Sequence, residues 1–66
     1  MRYQFLVRDP VPDDVVAELP ELSSVSWPTG GTALFGPVRD EADVWSLHAR
    51  ISGLGMSVVD VHPLPD

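Results

Sequence analysis

Leu22-Ser-Ser-Val-Ser-Trp-Pro-Thr-Gly-Gly-Thr-Ala-Leu-Phe35 stands at the middle of the chain. Leu22 to Trp27 predicts a strand, with Val25 and Trp27 on one side and Ser24 and Ser26 on the other. Pro28-Thr-Gly-Gly31 is a turn cluster of hairpin length. Thr32 to Phe35 predicts the returning strand, closed by Gly36-Pro37. Two short strands around a Gly-Gly turn make an antiparallel hairpin.

The segments flanking this hairpin have helical punctuation. On the N-terminal side Asp13 is expected as an N-cap for Asp14 to Leu19, with Val15, Val16 and Leu19 directed at a core and Pro20 ending the helix. On the C-terminal side Asp40 is expected to cap a longer helix, and Glu41 and Asp43 suit its positive end. Val44, Leu47, Ile51 and Leu54 recur at spacings of 3, 4 and 3, an apolar stripe of helical period. Gly53 and Gly55 offer the left-handed residue that closes such a helix. Outside the helices lie two more strands. Tyr3, Phe5 and Val7 alternate with Gln4 and Leu6 over residues 2–8, and Met56 to His62 alternates with Val59 and Val61 on one side and Met56, Val58, Asp60 and His62 on the other.

The order is β-α-β-β-α-β. Helical crossovers set their flanking strands parallel, so two such units around a central hairpin predict an α+β, ferredoxin-like split sandwich. It has a four-stranded antiparallel sheet with both helices on one face. The first and third strands are expected to be adjacent and central. At 66 residues the chain is one such domain, spanning 1–66.

Ten Asp and Glu against four Arg leave a net charge of −6, and the arginines (Arg2, Arg8, Arg39, Arg50) form no cluster. Nucleic-acid affinity rests on cations that neutralise phosphates, so nucleic acid is not an expected partner. Cysteine is absent, which excludes disulfides, zinc-thiolate sites and thiol catalysis. No run of residues is apolar over the length that spans a bilayer, and the apolar part of Met1 to Asp9 is too short for the core of a signal peptide. No membrane association and a cytoplasmic location are therefore expected.

Gly36-Pro37-Val38-Arg39-Asp40, running into Leu47-His48-Ala49-Arg50-Ile51 and closed by Gly53-Leu54-Gly55, resembles a family of short uncharacterised actinobacterial proteins. The opening Met1-Arg2-Tyr3 and the Gly31-Thr32 pair fit it too. The resemblance implies a ferredoxin-like fold and no known activity. Trp45 and His48 stand where smaller or aliphatic residues are expected in that family.

The candidates for chemistry are His48, the Asp60–His62 pair, the serines of residues 23–26 and the Gly30-Gly31 pair. His48 lies at the flank of the helical stripe with no second metal ligand at a useful spacing. Asp60 and His62 share one face of the last strand, as an acid–base pair would, but the neighbouring strand offers Arg2, Gln4 and Arg8, and arginines do not ligate metals. Ser23, Ser24 and Ser26 lack a nucleophile-elbow motif, and Gly30-Gly31 lacks the lysine and following helix of a phosphate loop. No catalytic residue, metal site or cofactor is expected, and the sequence points away from an enzyme.

The sheet face away from the helices is expected to carry Leu6, Ala33, Phe35, Met56 and Val58, mixed with Gln4, Ser24, Ser26 and Asp60, which leaves Val25 and Trp27 on the helix side. A face left in water should be mostly polar. Apolar residues there, with Trp45 on the helix flank, predict an interaction surface. A short chain is also poor in core, and oligomerisation is a common remedy. The expected function is a homo-oligomeric binding or protein-interaction module, with a dimer favoured and another protein as a further partner. The alternative is a small-molecule-binding protein or cofactor-free enzyme with its pocket at a dimer interface.

Overall fold

A computed structural model describes residues 1–65. Its elements are β1 (Arg2–Val7), α1 (Asp13–Val16), β2 (Ser23–Ser26), β3 (Thr32–Pro37), α2 (Glu41–Gly53) and β4 (Val58–Leu64). The strands form one antiparallel sheet in the order β2-β3-β1-β4. β1 and β3 are the central pair, and each helical connection steps over one strand. The class is α+β, with four antiparallel strands and two helices.

The core lies on one side of the sheet. Phe5 and Val7 of β1, Leu34 of β3, Val44, Leu47 and Ile51 of α2, and Leu19, Leu22 and Val38 from the connections form a single buried cluster. Phe5, Leu34 and Ile51 are wholly shielded, and each such side chain contributes about 1.5–3 kcal/mol of burial free energy.

α2 forms as its punctuation requires. The Asp40 carboxylate accepts from the Asp43 N–H at 2.9 Å. At the other end the Gly55 N–H donates to the Ser52 carbonyl at 3.0 Å, and Gly55 takes a φ of 90°, open to glycine and costly for side chains. Leu54, the fourth member of the stripe, lies just past the helix end and is exposed.

α1 departs from expectation. Pro12, not Asp13, is the N-cap, and no side chain caps the helix. The extended φ and ψ of Pro12 place its carbonyl to accept from Val15 and Val16, so Asp13 and Asp14 fall inside the first turn. The helix lasts a single turn and buries nothing fully. Its anchoring is done afterwards, by Leu19 and Leu22 in the turns that follow. That loop crosses close over β3: a Cβ at Gly36 would stand 2.6 Å from the Glu21 carbonyl oxygen. Only a residue without a side chain lets the loop come down far enough to seat Leu22.

β4 also departs from expectation. Leu6 pairs with Asp60 but Val7 pairs with Val58, so one residue is inserted between them. This β-bulge resets the alternation of the strand. Val58 therefore joins Val61 on the helix side, and both pack against the core, as does Met56 before the strand. Val59, the inserted residue, is exposed. The assignment of Met56 and Val58 to the open face is corrected accordingly; Asp60 and His62 do lie there, across from Leu6 and Gln4.

Candidate interaction surface

Antiparallel register arranges the open face in rows from β2 to β4. One row runs Val25, Ala33, Leu6, Asp60; the next runs Ser23, Phe35, Gln4, His62; the third, from β3 on, runs Pro37, Arg2, Leu64. Directly opposed residues share a face, so these rows follow from pairing alone. Leu6 and Phe35 stand half-buried near the centre, as alternation predicts. Ala33 is on the same face but only 3% exposed. It is the floor between Leu6 and Val25, not a contact of its own.

Two apolar residues were missed by alternation. Val25 is opposite Ala33, so it faces the open side, and Ser24 and Ser26, opposite Leu34 and Thr32, face the helix side. This inverts the expected polarity of β2. The serines on the helix side are nevertheless exposed, so β2 is wet on both faces. Trp27 continues the Val25 side and joins Leu6 and Val59 around a shallow concavity of about 260 Å³ at the hairpin end. Val25 is 52% and Trp27 45% exposed. No sequence signal places a β2 residue on one face or the other, because neither side of Ser-Ser-Val-Ser is covered.

Trp45 does not belong to this surface. It projects from α2 and is 69% exposed, forming a separate hollow with Tyr3, Glu41, Val44 and Val61. The half-buried ring of His48 lies 6.1 Å from the Trp45 ring and is tilted by 51°. At the β4 end of the open face the His62 Nδ1 and an Asp60 carboxylate oxygen are 2.7 Å apart, both exposed. Among the described residues no three of His, Cys, Asp and Glu come together as a metal site.

A cleft of about 390 Å³ lies on the helix side and is lined by Glu21, Val38, Arg39, Asp43, Ser46 and Arg50, among others. Its charges are spent on one another. Arg39 donates from its backbone N–H and its Nε to one oxygen of Asp43 and from Nη2 to the other, each at 3.0 Å. These bonds hold the Asp43 carboxyl down at about 2, well below its ordinary 3.8. Arg50 donates from Nη1 and Nη2 to the two carboxylate oxygens of Glu21 at 2.8 and 3.1 Å, and from Nη2 to the Glu18 carbonyl. That pairing lowers the Glu21 pKa and ties α2 to the loop crossing over Gly36. Both carboxylates are already held by two-pronged pairs, which marks the cleft as a joint between elements.

A model of one protein family, described as a domain of unknown function (DUF8691), matches residues 2–62. The chain belongs to this family. No curated protein and no solved structure matches it. The DUF8691 span takes in the whole hairpin, both crossovers and β4 as far as His62, and so contains Leu6, Val25, Trp27, Ala33, Phe35 and Val59 together. No helix of the described residues is long and apolar enough to cross a membrane.

Proposed function

We propose that this DUF8691 chain is a self-associating interaction module, working as a dimer, whose contact surface is the open face of the sheet. The observation that carries the reading is the apolar centre of that face: Leu6, Phe35, Val25 and Trp27 stand together on the side opposite the core. Apolar residues gathered on a solvent-facing sheet favour a partner that removes them from water. The strand order β2-β3-β1-β4, with a helix in each crossover, supports a ferredoxin-like architecture, which leaves one sheet face free for such contacts.

Phe35→Asp tests this. Phe35 neighbours Gln4 and Ser23 and is not part of the buried cluster. In a monomer the aspartate faces water and the fold is kept. In a dimer the change removes about 1.5–3 kcal/mol of burial per subunit and desolvates a charge with no partner. The expected result is an oligomeric wild type and a folded, monomeric variant, by sedimentation and circular dichroism at matched concentration. A wild type that is monomeric throughout, or a Phe35→Asp chain with no folded form, overturns the reading.

A further inference from the structure

We propose that the second copy docks on the outer edge of β2, pairing β2 with itself antiparallel about a two-fold axis at Val25. This deepens the reading above, resting on self-association and naming the strand that carries it.

The backbone directions come first. The Trp27 N–H donates to the Gly31 carbonyl at 2.8 Å. In an antiparallel pair, hydrogen-bonded and non-hydrogen-bonded positions alternate. Trp27, Val25 and Ser23 therefore turn their backbone groups inward to β3, and Ser24 and Ser26 turn theirs outward from the sheet. The N–H and C=O groups of these two serines are a ready template for another strand.

The edge carries none of the usual guards. β2 holds no proline, no charge and no bulge, and all its residues are exposed. β4, the other edge, has all three: the bulge at Val59, Pro63 without an N–H, and the Asp60–His62 pair. An edge strand left bare in a protein that guards its opposite edge is one that is covered by design of the fold.

The occupant follows from symmetry and charge. A strand paired antiparallel with its own copy is self-complementary about a dyad. With Val25 on the axis, Ser24 of one chain exchanges backbone hydrogen bonds with Ser26 of the partner subunit. Val25 then meets its counterpart in a non-hydrogen-bonded pair, where side chains approach closest. Trp27 comes to lie opposite Ser23 of the partner subunit, on the open face and in the row that continues to the partner subunit's Phe35. Two chains of net charge −6 repel, yet no charged residue occurs anywhere between Leu22 and Val38. The hairpin is the one long segment through which two such chains approach with no carboxylate facing another. The pairing joins two four-stranded sheets into one and merges the apolar centres of their open faces.

The absence of cysteine makes the test clean. In the proposed pair the Val25 Cα atoms are about 4.5 Å apart, inside the range of about 4.4–6.8 Å that a disulfide spans. Val25→Cys in the full chain, treated with diamide, is expected to give a covalent dimer on a non-reducing gel. The product should form from Val25→Cys and not from Phe35→Cys, because in the edge pair the two Phe35 positions lie at least three strand spacings, about 14 Å, apart, whereas a stacked face-to-face contact would bring them together. It should disappear when Ser24→Pro is added, which deletes an outward N–H and leaves the β3 ladder untouched. By sedimentation Ser24→Pro alone should fall from twice the 7.2 kDa monomer mass to the monomer, with an unchanged circular dichroism spectrum. Should Ser24→Pro not fold, the Val25→Cys and Phe35→Cys chains still decide. No cross-link from Val25→Cys, a cross-link from Phe35→Cys, or a folded Ser24→Pro dimer overturns the edge pairing while leaving self-association standing. A wild type that is monomeric at every concentration overturns both.

Discussion

β2 and β4 occupy the two edges of the same sheet, and they are built to different ends. β4 runs past β1 for seven residues, is broken by a bulge, and carries a proline and an Asp–His pair. Its Val58 and Val61 reach back to the core, so the strand is anchored from the helix side. β2 is four residues of serine and valine, exposed at every position, tied to the molecule through β3 and through Leu22 just before it. The charged groups that hold other parts together, Arg39 on Asp43 and Arg50 on Glu21, lie outside the stretch from Leu22 to Val38. The lesson is that edge protection is placed on β4, while β2 carries neither guard nor charge. β2 is held by its pairing with β3, the loop before it by Leu22 and the Glu21–Arg50 pair, and its outer side is left open.

Truncation of the hairpin's own anchor should show the largest effect. Leu34 is wholly shielded in the core, and Leu34→Ala is expected to cost about 2–5 kcal/mol in denaturant-induced unfolding. Val61→Ala, at the half-buried position across Phe5, is expected to cost clearly less. Equal losses would break the contrast between a hairpin sunk into the core and an edge strand laid against it.

Gly36→Ala should come next, at about 1–3 kcal/mol, because the added methyl group meets the backbone at Glu21 and no side chain can yield. The crossing loop would have to lift, carrying Leu22 and the Glu21–Arg50 pair with it. Melting temperature and the near-ultraviolet spectrum of the tryptophans read this directly. A variant as stable as the wild type would show that the loop is not what holds the start of β2.

The smallest effect should be electrostatic and confined to the Arg39–Asp43 pair. The folded state holds the Asp43 carboxyl at about 2, below its ordinary 3.8, chiefly through the Arg39 side-chain hydrogen bonds. A group depressed by folding stabilises the fold when ionised, so the contribution is complete above the ordinary value and is lost as pH falls toward about 2. Both partners sit at the surface, where solvent screens the pair. Asp43→Asn should flatten the acid limb of the stability profile in that window and leave it unchanged at neutral pH apart from the lost pair. An unaltered acid limb would remove Asp43 from the account.

Much of this layout was legible in the chain. Asp40 caps α2 and Val44, Leu47 and Ile51 enter the core because capping and a helical stripe are local, each set by residues three or four apart. Leu6 and Phe35 reached the open face because β1 and β3 alternate without interruption. What failed to show had no local mark. The bulge at Val59 is a plain valine in a run of strand-forming residues, and it turned Val58 inward against simple alternation. Val25 was assigned to the wrong side because both faces of β2 are wet, so hydrophobic patterning had nothing to register against. The single turn of α1 and its Pro12 cap followed from where Leu19 and Leu22 had to be delivered, not from the propensity of Asp13 to Leu19.

The amino-acid sequence by itself determined the order of strands and helices, the antiparallel hairpin, the cap and core stripe of α2, and a charge-free middle in an acidic chain. These depend on propensities and periods that act over a few residues. Only the tertiary structure decided which side of β2 joins the open face, which edge is left bare, and that Met56 and Val58 serve the core. Those outcomes depend on register between strands distant in sequence, where inserting one residue exchanges the two faces.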